Sequence, residues 1–166
     1  MQKSPSVSTV NVSTPTLAIK SASDCLTIQV LCPAEMGILY VAVYKPRQTL
    51  GTYHWALYLE ESDSHSVFQV VGNPCQFRYQ ELSSRPESTD HHVENIFVAH
   101  IDDIQGYRVV VSSQVIDNET HHWGCQQWIF DVLESLPDDD VITDYDHAEA
   151  KFKLEMIFQV EIEGDG

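Results

Sequence analysis

Residues 121–136 read HHWGCQQWIFDVLESL and place one cysteine, Cys125, where an apolar helix should begin. Unpaired N–H groups and the macrodipole present positive potential at a helix start, and a thiolate there is stabilised. A working thiol also needs a base, usually an imidazole held by a third group. His54 in HWALYL is the candidate base. Strand alternation sets His54, Ala56 and Tyr58 on one face and Trp55, Leu57 and Leu59 on the other. A small alanine beside the histidine leaves room for a helix end to approach. Gln69 in VFQVV is the candidate orienting group. If TYHWALYLE and SVFQVVG form a hairpin, paired residue numbers share a constant sum. An odd sum puts Gln69 on His54's face, and an even sum removes it.

Other arrangements compete. His121 and His122 precede Cys125 by four and three residues and could touch the thiol if the helix began earlier. Cys75 in GNPCQFRY is a second thiol, in a turn without a helix dipole. Gln126 and Gln127 could help hold an oxyanion, though solvent exposure is the commoner fate, and Trp123 and Trp128 read as core anchors. A buried packing cysteine and a strand histidine bonded to a carbonyl are the bland readings of Cys125 and His54.

The elements that must position these residues are short β-branched or aromatic runs: CLTIQVLC, GILYVAVY, TYHWALYLE, SVFQVVG, CQFRYQ and IFVAHI. A polar loop, 81–95, is long enough for a lid. IDDIQGYRVVVSSQVI fits helix or strand. Cys125, Trp128, Ile129, Val132, Leu133 and Leu136 form one apolar stripe at helical spacing, with Asn118 or Thr120 to cap it and Pro137 to stop it. HAEAKFKLEMIFQVEI adds a last helix or a helix-to-strand segment. Residues 1–22, rich in Ser, Thr and Pro, read as a flexible tail before a single domain, 23–166. The expected fold class is α+β: an antiparallel sheet packed on the helix that carries the cysteine.

Composition narrows the function. Nine basic residues against 25 acidic ones give a net charge of −16, a field that repels nucleic acid and anionic membranes. No apolar run approaches a membrane span, and the N-terminus lacks a secretory core, so a cytoplasmic protein is expected. Four irregularly spaced cysteines argue against a disulfide framework, and the sequons at Asn11 and Asn118 then carry no weight. The acidic run 137–146 lacks calcium-loop spacing, and eight histidines form no paired ligand motif, so neither a metal nor an organic cofactor is expected.

HWALYL, a following strand and a later cysteine opening a helix resemble the circularly permuted papain-like fold of lecithin–retinol acyltransferase-like enzymes and PPPDE-type peptidases. H-W-A-x-Y-L, V-V-G-x-P-x-x-F-R and W-x-C-Q-x-W also resemble a set of small fungal proteins. The likeness covers residues 50–136. It implies that Cys125 is nucleophile, His54 general base and Gln69 the third polar position, where the acyltransferases usually carry a second histidine. Gly124 departs from the polar residue often found before the cysteine. The function so implied is cysteine-dependent acyl transfer, hydrolysis of a thioester or amide or transfer to an acceptor, on a small or lipid-like substrate. Two alternatives stand beside it. One is a pocket without nucleophilic chemistry, such as a cyclase or isomerase of fungal secondary metabolism. The other is an acidic protein-interaction module.

Overall fold

The computed structural model describes residues 36–47 and 51–163, with side chains to Phe158. The expectations for the 1–22 tail and for a strand in CLTIQVLC lie outside the described residues. Among the described residues, five strands form one antiparallel sheet: β1 (Gly37–Tyr44), β2 (His54–Glu61), β3 (His65–Val71), β4 (Arg78–Leu82) and β5 (His92–Ile101). Their spatial order is β4-β3-β2-β1-β5. Three helices follow: α1 (Ile104–Ser113), α2 (Cys125–Asp138) and α3 (Asp144–Glu163). The class is α+β.

One sheet face carries the core. Leu39, Val41, Val43, Trp55, Leu57, Leu59, Phe68 and Val70 point to it and are buried against the helices. The stripe on α2 supplies Trp128, Ile129, Val132, Leu133 and Leu136, all fully buried. Amphipathic packing therefore seats α2 against β2 and β3, α3 against β5, and α1 against α2. Near-complete burial of a leucine such as Leu133 contributes about 2 kcal/mol over an exposed one.

The second face is smaller and more aromatic. Ala42, Ala56, Tyr58 and Val67 are buried there, flanked by Tyr40 and Tyr44. β4 and β5 are opposite edges, so their connection must cross four interstrand gaps, about 19 Å. Residues 83–91 span about 30 Å when extended, so the crossing takes up much of their length. They run over the second face: Pro86 is buried, and Glu87 acts electrostatically on Tyr40, Tyr44 and Tyr58. The polar loop is shorter than 81–95, because β4 continues to Leu82 and β5 begins at His92.

Local chemistry corrects two further expectations and settles two open ones. The ambiguous segment is helical at 104–113, because Asp103 Oδ1 accepts from Gly106 N–H at 2.8 Å and caps it. Tyr107, Val110 and Val111 then face the core. Pro137 lies inside α2, which ends one residue later at Asp138, and Val141 N–H closes onto Leu136 C=O at 3.0 Å. CQFRYQ is not strand from its first residue. Cys75 has φ 64 within the turn after β3, and the ladder begins at Arg78. HAEAKFKLEMIFQVEI lies wholly within α3.

Candidate functional site

β1 holds β2 along its full length, from Gly37↔Glu61 to Tyr44↔His54. The β2–β3 ladder is shorter, running from Leu57↔Phe68 to Glu60↔His65. Every pair in it sums to 125, an odd number, so Gln69 shares a face with His54 one pair away. Ahead of Leu57 the two strands part, and the start of α2 reaches the edge of β2 at that opening.

Cys125 is the first residue of α2, and Gly124 is its N-cap. The Sγ atom lies 4.0 Å from Tyr53 C=O, and Gln126 Nε2 donates to the same oxygen at 3.4 Å. The His54 ring and the backbone N–H groups of Trp55 and Gln126 act on the thiol and lower its pKa. The first helical bond runs from Trp128 N–H to Gly124 C=O at 2.9 Å. Backbone N–H groups ahead of it make no bond within the helix, and that of Gln126 acts on the thiol.

The imidazole is held from its other side. His54 Nε2 and Gln69 Oε1 are 2.7 Å apart. An amide oxygen only accepts, so Nε2 carries the proton and Nδ1 is left for the thiol. Gln69 Nε2 in turn donates to Gln80 Oε1 at 3.0 Å. Tyr44, paired with His54 across the ladder, places its ring 5.8 Å from the imidazole. Burial first, and the charge of Glu87 next, push the Tyr44 hydroxyl up to about 12, so it stays neutral.

The electrostatics of the pair favour proton transfer from sulfur to nitrogen. Burial is the largest influence on Cys125 and pushes its pKa up. The hydrogen bond and positive charge of His54, with the N–H groups of Trp55 and Gln126, outweigh it and bring the thiol below its ordinary value. Burial likewise pulls His54 down, and Arg47 adds to that. The hydrogen bond and charge of Cys125, with Gln69, leave the imidazole above its usual value. Cys125, His54 and Gln69 are all partly exposed as residues.

The other candidates are placed elsewhere. His121 and His122 are exposed, and His122 lines a cleft with Asp117, Trp123 and Asp131 rather than facing the thiol. That cleft, of about 480 Å³, and a second of about 310 Å³ between α2 and α3 are lined by neither Cys125 nor His54. Neither Asn118 nor Thr120 caps α2: Gly124 at the N-cap offers no side chain. Asn118 pins the turn before β4 instead, accepting from Phe77 N–H at 2.7 Å and donating to Phe77 C=O at 3.1 Å. Phe77 packs edge-on to Trp123, beside Gly124. Trp123 and Trp128 are core residues, and Gln127 Nε2 donates to Asp131 at 3.0 Å. Gln80 and the Trp55 N–H were not singled out from the sequence. A second glutamine in the alternation of RYQEL was the visible signal for Gln80.

Among the described residues no group of three His, Cys, Asp or Glu side chains is gathered to hold a metal ion. No described helix is long and apolar enough to cross a membrane. The chain belongs to a protein family of unknown function (DUF6914), whose model matches residues 37–152. No curated protein and no solved structure matches it.

Proposed function

We propose, for a chain whose family carries no assigned activity, a cysteine-dependent acyl-transfer enzyme: a thioester or amide hydrolase, or an acyltransferase. The observation that carries this reading is the chain of contacts Cys125–His54–Gln69 at the start of α2, with the thiol's pKa lowered and the imidazole's raised. A reactive thiol pairs with an imidazole, and the imidazole with an orienting group. The order of histidine strand before cysteine helix is in keeping with the permuted papain-like arrangement that the sequence resemblance suggests.

The chemistry follows from that geometry. The Cys125 thiolate attacks the carbonyl carbon and forms an S–C bond, and the carbonyl electron pair moves to oxygen. Backbone N–H groups at the start of α2 stabilise that oxyanion. Collapse breaks the bond to the leaving group, which takes the proton from His54. An acyl thioester on Cys125 remains. Water or an acceptor alcohol or amine then gives a proton to His54 and its oxygen or nitrogen to the carbonyl, and the thiolate departs. Gln69 keeps Nε2–H engaged throughout, so Nδ1 carries the proton traffic. No step needs a metal or organic cofactor. A small or lipid-like acyl donor is the substrate class the resemblance suggests, and the −16 charge disfavours anionic donors.

The test is acylation by p-nitrophenyl acyl esters of increasing chain length, read by intact mass and peptide mapping. One acyl group on Cys125, absent in Cys125→Ser and slowed in His54→Ala, supports the proposal. Acylation confined to other residues, or none, contradicts it.

A further inference from the structure

His54 is the first residue of β2, and the β2–β3 ladder begins only at Leu57, so no paired residue flanks the imidazole on the β3 side. Gln69 Oε1 holds Nε2 at 2.7 Å, but a carbonyl oxygen accepts over a broad range of directions. That bond sets how far the ring reaches and leaves its plane free to swing. A base that swings loses its line to the thiol, because hydrogen bonds weaken steeply below about 120°. The ring plane needs a second support.

Tyr44 stands where that support is missing. It pairs with His54 across the β1–β2 ladder, and the two ring centroids are 5.8 Å apart at an interplanar angle of 39°. Attractive aromatic pairs span about 4.5–7 Å. Tyr44 is itself held. β1 lies between β2 and β5, so Tyr44 is paired on both sides, with His54 and with His92. The His92 ring meets it edge-on from the β5 side at 5.8 Å. Asn95 Nδ2 donates to Glu87, a carboxylate that only accepts, and this leaves Asn95 Oδ1 to bond His92 Nε2 at 2.9 Å. The support for Tyr44 therefore ends on a group with a single hydrogen-bonding role. We infer that Tyr44 is a positioning residue: its ring, set between His92 and His54, holds the imidazole in the plane where Gln69 and the thiol reach opposite nitrogens. The ring does this and not the hydroxyl, which burial and then the charge of Glu87 push up to about 12, beyond proton exchange near neutral pH. The inference rests on the acyl-transfer reading and adds a member to its machinery that acts only through His54.

The test compares native protein with Tyr44→Phe, which keeps the ring, and Tyr44→Leu, which keeps apolar bulk without it. Tyr44→Met repeats the loss should the leucine variant fold poorly. Two readouts are taken: the pH at which alkylation of Cys125 accelerates, and the midpoint of urea unfolding. Loss of the ring is expected to move the acceleration upward by about half a pH unit to one, the worth of an aromatic pair. Tyr44→Phe is expected to accelerate at the native pH. A merely structural role would lower the urea midpoints of Tyr44→Leu and Tyr44→Met and leave the acceleration of the folded protein at the native pH. That result overturns the inference while the acyl-transfer reading stands. A shift in Tyr44→Phe as large as in Tyr44→Leu overturns it too, because the hydroxyl would then carry the effect. If native Cys125 accelerates only near ~8.5, as a free thiol does, the inference and the acyl-transfer reading fall together.

Discussion

Replacing Gln69 by Glu changes the charge of the group that holds His54. The native amide oxygen accepts from Nε2 at 2.7 Å. A neutral hydrogen bond contributes about 1 kcal/mol, and one to a charged group about 1.5–3 kcal/mol. The imidazolium therefore gains about 1–2 kcal/mol over the neutral ring, roughly one pH unit at ~1.4 kcal/mol per unit. His54 and Cys125 each act on the other's pKa, so a more stable imidazolium should mean a thiol that ionises at lower pH. The variant gives up the donor to Gln80, which can turn its own amide to compensate. Alkylation of Cys125 by iodoacetamide, followed by peptide mapping across pH, should show the acidic limb of Gln69→Glu about one unit below native. Gln69→Leu should show it displaced upward. Coincidence of all three curves would refute the reasoning, because the imidazole would then be indifferent to the group on its Nε2.

Four further outcomes are expected. Arg108→Met should lower stability by about 2–3 kcal/mol in urea unfolding, because Arg108 pairs with Glu61 at 3.0 Å, Ser66 and Glu81, and the Glu61 side chain is only 12 % exposed. Glu81→Gln, at the more open end, should cost under about 1 kcal/mol. Cys75→Gly should leave Cys125 alkylation unchanged and raise stability by about 1 kcal/mol, since Cys75 occupies a left-handed conformation at φ 64 that glycine adopts freely. Gly72→Ala should destabilise by about 1–3 kcal/mol in the same unfolding assay: its φ is 140, and an added Cβ would meet Gln76 C=O at 2.3 Å.

Much of the arrangement is legible in the residues because strand alternation is rigid. HWALYL fixes His54 and Trp55 on opposite faces wherever the strand lies, and the three-residue connection to β3 leaves few registers for Gln69. The apolar stripe after Cys125 leaves no other face of α2 to bury. What is not legible depends on tertiary partners. Asn118 has the chemistry of a cap but finds Phe77 instead, 41 residues away in sequence. Gln80 gains its meaning only from the β3–β4 register, and that register follows from where the ladder resumes after Cys75. In α1 the run VVV argues for strand, and the Asp103 cap with burial of Tyr107 decides for helix. The parting of β2 from β3 that admits the thiol has no local signature, because it reflects the end of a ladder rather than any residue type.

The central claim is that Cys125 and His54 act as one ionisable pair. Its most direct test is the alkylation rate of Cys125 against pH in native protein and in His54→Ala. The account predicts that the rate rises at lower pH in the native protein than in an ordinary thiol, since the thiol's pKa is lowered, and that the rise shifts toward ~8.5 when the imidazole is removed. Superimposable curves for the two proteins, both rising as an ordinary thiol does, would contradict it.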